Sequence, residues 1–311
     1  MSQLSTAQAR VVDPILTTVA RGFKQLNLVG EVLFPIVPVG QRAGKIIEFN
    51  REDFKIYQTQ RSPGAATKRV QFGHFGSPYA LDDHSLEGLV PFEIMEEADA
   101  VPGIDLANGA VRRVQNIFAL RLEKARADLA RNAANYAASN KTVLSGTSQW
   151  SDPASDPLKA FNTWREAVRS KIGFYPNAGI IPAAVAIVLQ THPVIKDAFK
   201  YTSSQSVSFE MLKAYFGMPG LAMGGSVFND DADVQQDIWG KDVILAYAEV
   251  SSLADMGSPS FGYTYQLRGY PIVEQPYIER NAKSWVYPIA DANAPVIAGA
   301  LAGFIAQNVV N

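Results

Sequence analysis

Apolar positions step along residues 104–138 at a helical interval. Val111, Val114, Phe118, Leu122, Ala125, Leu129, Ala133 and Tyr136 recur every three or four residues without a break, as one face of an α-helix requires. The pattern predicts a single helix from near Ile104 to near Ala138, ~50 Å long at 1.5 Å per residue. A shorter amphipathic helix is predicted from Asp13-Pro14 to about Leu26, with an Asp cap, Pro at the first helical position and a stripe of Ile15, Val19, Phe23 and Leu26. Between them the pattern changes. Leu33 to Val39 is apolar but carries Pro35 and Pro38, which exclude a helix or a central strand and predict an extended arm lying on some other surface. Lys45 to Phe49, Phe54 to Tyr57 and Arg69 to Phe72 have strand composition, so residues 44–73 read as a long hairpin with its far turn at Ser62-Pro63-Gly64. Such a hairpin is at best marginally stable alone, so the rest of the chain or a neighbouring copy must cover it.

From Trp150 onward the pattern becomes mixed. A linker at residues 152–157 leads into a helix over 158–171, with Leu158, Phe161, Trp164 and Val168 on one side. Ile180 with Ala184 to Leu189 reads equally as a buried strand or a helix start. Ser208 caps a short helix reaching Phe216. Strands are expected at Val243 to Tyr247, Tyr263 to Leu267, Ile272 to Glu274 and Trp285 to Ile289. The tail from Ala294 to Val310 is apolar but interrupted by Pro295, Gly299, Gly303, Gln307 and Asn308, so a buried strand or two is expected rather than a membrane span.

Charge divides the first 131 residues into blocks. Residues 40–72 carry seven basic side chains against three acids, residues 73–110 carry eight acids and no Lys or Arg, and residues 111–131 carry six basic residues against two acids. The net charge of −2 over 311 residues hides this alternation and implies no whole-molecule attraction to nucleic acid. At 47% hydrophobic and 19% charged the chain is an ordinary globular sequence.

Candidate chemistry is sparse. With no cysteine, disulfides, thiolate catalysis and Cys-ligated metals are excluded. The three histidines are His74, His84 and His192. His74 and His84 flank Asp82 and Asp83 in what reads as an acidic loop, where surface or hydrogen-bonded histidines are expected rather than metal ligands. The acidic run from Asn229 to Asp233 with Asp237 lacks the central Gly and closing Glu of an EF-hand and reads as a solvated turn. Gly217 to Gly225 has neither a phosphate-loop ending nor dinucleotide-binding spacing. No G-x-S-x-G elbow, H-E-x-x-H pair or signal peptide is present, so no enzyme, cofactor or metal is expected.

The order of these features resembles the major capsid proteins of tailed phages of the Hong Kong 97 type, over nearly the whole chain. The phrases that carry the resemblance are Leu33 to Val39 before the hairpin, Arg61 to Ala65 at its tip, Tyr79-Ala80-Leu81 before the acidic stretch, and the long helix. They continue with Thr191 to Lys196, Tyr201-Thr202, Gly225 to Asn229, Trp239-Gly240 and Pro259 to Thr264. The resemblance implies an α+β capsid fold: an N-terminal arm (1–40), an E-loop hairpin (41–76), a P-domain with the long spine helix (77–150), an A-domain (151–254), return strands of the P-domain (255–290) and a C-terminal segment in the A-domain (291–311). It implies self-assembly as hexamers and pentamers into an icosahedral virion shell around double-stranded DNA, built in the bacterial host cytoplasm. A portal, a separate scaffolding protein and a decoration protein are its expected partners, with no membrane. An encapsulin-type nanocompartment shell shares this fold and is the alternative; a soluble α/β enzyme or binding protein is a further one.

Within that frame, Arg51, Lys55, Arg61, Lys68 and Arg69 of one subunit's hairpin are expected against Asp82, Asp83, Glu93, Glu96 and Glu97 of a neighbour. Arg112, Arg113, Arg121 and Arg126 are expected partly toward the lumen and its DNA, although a solvated polar helix face accounts for them equally. Lys55 and Lys68 sit where some relatives place a crosslinking lysine, but no matching Asn or Glu is found, so non-covalent assembly is expected.

Overall fold

The computed structural model describes residues 28–45, 56, 59–61, 67, 69, 78–99, 105–200, 207–230, 232–249 and 260–311. The short amphipathic helix expected before Leu26 and most of the hairpin expected over 44–73 lie outside the described residues.

Two sheets divide the strands. The first is built on β14 (Ser284–Ile297), which β4 (Asp82–Pro91) flanks along ten residues, in register from Pro91 opposite Ser284 to Asp82 opposite Asn293. On its other edge β14 pairs antiparallel with β11 (Gly262–Leu267), β12 (Ile272–Val273) and β13 (Tyr277–Glu279). Strand β1 (Ile36–Val39) then adds parallel to β11 as the outermost strand. Pro38 is tolerated there because the open edge asks for no N–H. The second sheet runs β5 (Lys141–Val143), β15 (Gly303–Gln307), β10 (Val243–Ala246), β6 (Ala178–Pro182), β7 (Leu221–Gly224). Two small ladders stand apart: β2 (Ala43–Lys45) with β3 (Pro78–Ala80), and β8 (Val227–Asn229) with β9 (Gln235–Asp237).

The helices follow the predicted pattern closely in position. Short α1 (Phe92–Asp99) precedes the long α2 (Leu106–Arg131), whose cap is Asp105, accepting from the Asn108 N–H at 2.9 Å. Helix α3 (Pro157–Ile172) packs Phe161, Trp164, Val168 and Ile172 on the second sheet. The ambiguous 180–189 stretch resolves as both alternatives in turn, β6 and then α4 (Ala183–Thr191). Helix α5 (Pro193–Phe199) follows, and Ser208 caps α6 (Phe209–Tyr215) as expected. The apolar tail supplies the end of β14 and all of β15. The expected division at 290/291 therefore falls inside β14, and residues 141–143 belong to the second sheet.

Helix α2 is shorter than its periodicity predicts, 26 residues and about 39 Å. It stops because polar side chains beyond it take its last carbonyls. Asn135 Nδ2 donates to Leu129 O at 2.8 Å and Tyr136 Oη donates to Ala130 O at 2.7 Å, while Asn132 turns extended and accepts from Ala134 N. Its buried face also rotates along its length. Val111, Val114 and Phe118 face the first sheet as predicted, but farther on the buried positions are Glu123, Arg126, Ala127 and Ala130. Leu122, Ala125 and Leu129 are only half-buried.

That second face is a polar knot. Glu123, with no exposed surface, accepts from Val29 N (2.9 Å), Gly30 N (2.9 and 3.0 Å) and the Trp239 indole N–H (2.9 Å). Arg126 beside it donates from Nε to Thr264 Oγ1 at 2.9 Å, and that hydroxyl donates to Phe34 O at 3.0 Å. Burial lowers the Arg126 pKa from its usual value, opposed by Glu123 and Glu31. Gly30 is required here: a Cβ would stand 2.7 Å from Glu123 Oε2.

The knot corrects one expectation. Part of the 33–39 segment is covered within the subunit: Leu33 and Phe34 are fully buried in this chain's own core, Phe34 against Phe261 at 5.4 Å, while Ile36 stays 40% exposed. Pinning of Val29 and Gly30 turns the chain inward there, so apolar cover comes in cis. Glu123→Ala would orphan two buried donors, Gly30 N and the Trp239 indole, at ~1–3 kcal/mol each, and the half-buried Val29 N as well. It is expected to cost about 3 kcal/mol or more in urea unfolding, whereas Leu129→Ala is expected to cost less than half of that.

Candidate assembly surfaces

Strand β4 and helix α1 carry the acidic block, and the expected acidic loop around Asp82 and Asp83 is instead the start of a paired strand. Alternation along β4 turns His84, Gly88 and Val90 inward and leaves Asp83 and Glu87 outside. Part of this charge is used within the chain. Asp83 pairs with Arg42, and Glu87 accepts from Tyr277 Oη at 3.2 Å. Glu93, Glu96 and Glu97 lie exposed on α1. Of the expected basic partners, Arg51, Lys55 and Lys68 lie outside the described residues. Arg61 and Arg69 are exposed, and Arg61 donates to Thr67 Oγ1 at 3.3 Å.

Beside the acidic rim lies a largely apolar groove of about 370 Å³ between β4, α1 and α2, lined by Leu89, Pro91, Ile94, Leu106 and Val114, with Arg113 its one charged lining residue. Leu89 is 54% exposed and Ile94 50%. Its presence was not legible in the periodicity, because Leu89 and Ile94 belong to different elements that only the fold brings together.

The four arginines expected at the lumen divide. Arg112 and Arg113 are exposed. Arg121 is half-buried and donates to Asn293 Oδ1 at 2.6 Å, with Asp291 and Asp82 nearby. Arg126 is buried in the polar knot, so its assignment to DNA is corrected: a side chain 5% exposed and committed to Thr264 reaches no external phosphate.

The remaining chemistry is structural. His84 stands near the Arg121 guanidinium and the Asp82, Asp83 and Asp291 carboxylates. His192 is buried, its Nε2 within 3.1 Å of Ser155 Oγ and 3.2 Å of Asp152 O. Asp230 closes the β8–β9 turn by accepting from Ala232 N, Val234 N and Gln236 Nε2. Among the described residues no three His, Asp or Glu side chains gather to hold a metal, and no helix is long and apolar enough to cross a membrane.

No family model matches the chain. The major capsid protein of Burkholderia phage BcepMu is 34% identical over 313 residues, spanning 99% of both chains. Among solved structures, a phage-related protein from Bordetella bronchiseptica RB50 superposes with a TM-score of 0.83 at 42% identity, over 97% of this chain and 98% of that one. The SrpI encapsulin of Synechococcus elongatus PCC 7942 covers 96% of this chain and 95% of its own at a TM-score of 0.52 and 12% identity, a likeness of fold alone. The α+β architecture is that of phage coat proteins with a capsid fold of the expected type. The chain belongs to the phage major capsid proteins, which are structural components of the virion rather than enzymes.

His84 generates a pH dependence. Burial lowers its pKa from the ordinary 6.5, Arg121 adds to the effect, and Asp82, Asp291 and Asp83 oppose it. The folded chain thus binds fewer protons than the unfolded one. The stability contributed is complete above pH 6.5 and is lost as pH falls below it, at no more than about 1.4 kcal/mol per pH unit for one group. Urea unfolding between pH 5 and 8 is expected to show that decline, and His84→Gln is expected to flatten it.

Proposed function

We propose that this chain is the repeating subunit of an icosahedral shell that encloses packaged double-stranded DNA. The observation that carries the reading is the open groove at Leu89 and Ile94, rimmed by Glu93, Glu96 and Glu97, on the same molecule as a basic segment that starts at β2. The basic segment of one subunit then lies along the groove of the next. Apolar contact supplies most of the energy, at ~25 cal/mol per Å². The charges set orientation, because an exposed pair contributes only ~0–1 kcal/mol. Head-to-tail contacts of this kind close into rings, and hexamers and pentamers are the rings an icosahedral shell uses.

The first sheet with α2 serves as the peripheral P-domain, including residues through Ile297. The second sheet, with residues 132–249 and 300–311, serves as the axial A-domain. Of the four arginines Arg112 is left to face packaged DNA, softening its repulsion through sequence-independent phosphate contacts, while Arg113 lines the groove. A scaffolding protein, a portal and a decoration protein complete the expected partners, and the contacts are non-covalent.

Electron microscopy of the purified protein tests the shell: closed particles are expected, and a persistently monomeric protein overturns it. Arg61→Glu with Lys68→Glu is expected to reduce closed particles by an order of magnitude while leaving the circular dichroism of the subunit unchanged. Arg112→Ala is expected to leave shells intact and to weaken DNA retention more at about 0.05 M than at about 0.3 M salt, where phosphate contacts are largely screened.

A further inference from the structure

The ladder of β2 and β3 is the base from which residues 46–77 depart, and it holds only three residues on each side. A two-stranded ladder of that size cannot orient itself. Its direction is therefore set by whatever ties it to the first sheet, and two ties are present. Arg42, just before β2, forks: Nη1 meets Asp83 on β4, and Nη2 donates to Tyr270 Oη at 3.3 Å, with the guanidinium 5.9 Å from the Tyr270 ring centre. Tyr79 on β3 stacks on Tyr265 of β11, with ring centres 4.5 Å apart and planes 25° from parallel. Its ring also fills the space over its cross-strand partner Gly44, where a Cβ would lie 2.7 Å from the ring edge. Arg42 O accepts from Leu81 N at 2.8 Å, joining the two ties at the neck.

We propose that Arg42, Asp83 and Tyr270, together with Tyr79 seated on Gly44 and Tyr265, form a positioning clamp that fixes the direction in which residues 46–77 leave the subunit. The ion pair is solvent-facing, with its two side chains 47% and 65% exposed, so its contribution to stability is small. A planar guanidinium holding two partners on different elements is instead an orienting device. The inference rests on the reading that residues 46–77 reach a neighbouring subunit, since there the departure direction becomes the angle between subunits.

The chain has no cysteine, so spin labels can be placed singly. Gln60→Cys and Lys171→Cys, labelled in the unassembled subunit, report the spread of distances between position 60 and the body. A narrow distribution is expected for the otherwise unaltered protein. Asp83→Asn, Arg42→Lys and Gly44→Val are each expected to widen it at least about twofold, with the thermal midpoint of Asp83→Asn within about 2 °C of the parent, and Asp83→Glu is expected to restore it. An equally broad distribution in the parent, or unchanged widths in the variants, overturns the clamp. A merely stabilising ion pair would move the midpoint instead of the width. The readout needs no particles, so failure of the parent protein to form shells would count against the assembly reading and leave the clamp to be decided by the distances.

Discussion

One buried carboxylate joins the parts of this molecule. Glu123 has no solvent and accepts from two backbone N–H groups of the entering chain and from the indole of Trp239 near the second sheet. A carboxylate in that setting is tolerable only while its donors stay in place, so its position constrains all three partners together. Arg131, two turns farther along α2, repeats the device on the surface side: Nε donates to Asp242 Oδ2 at 2.9 Å and Nη1 to Ile238 O at 3.1 Å. Gly240 adopts φ +56° beneath it, where a Cβ would stand 2.4 Å from Nη2. The long helix is thereby fixed to the second sheet by charge and to the first by Val111, Val114 and Phe118.

That division explains what was legible in the sequence. A stripe repeating every three or four residues identified the helix but could not say that its apolar partner changes midway. Over its first half the neighbour is a sheet, and apolar residues face it. Over its second half the neighbours include backbone N–H groups and an indole, so Glu123 and Arg126 are buried beside Ala127 and Ala130, where the apolar pattern alone places Arg126 outward. Residues 82–91 do not read as a strand for a related cause: acids at 82, 83 and 87 break the apolar alternation, although pairing with β14 along their whole length needs only backbone. The Ser208 cap and the Phe161, Trp164, Val168 face were legible because local hydrogen bonding and one unchanging neighbour decide them.

The charge blocks were visible as numbers, and the fold shows that they have two fates. Asp83 and Glu87 are committed inside the subunit, to Arg42 and Tyr277, while Glu93, Glu96 and Glu97 on α1 remain at the rim of the apolar groove. A shell subunit needs both kinds. Charges used in cis hold a shape that must be the same in every copy. Charges left at a rim discriminate between docking poses at little cost to solubility before assembly.

A subunit that completed its burial alone would have no reason to associate, and one that left its whole first third uncovered would aggregate before it found a lattice. The arrangement lies between those limits. Leu33 and Phe34 are drawn into the subunit's own core by the Glu123 knot, which leaves the molecule a stable body. Leu89 and Ile94 stay open in the groove. Where modest contacts repeat around a closed ring their energy is multiplied: a pose that fits once fits at every repeat, whereas a misfit is paid for at every repeat. Weak, oriented and repeated contacts allow errors to dissociate during growth while the finished shell, with every subunit held from several sides, does not.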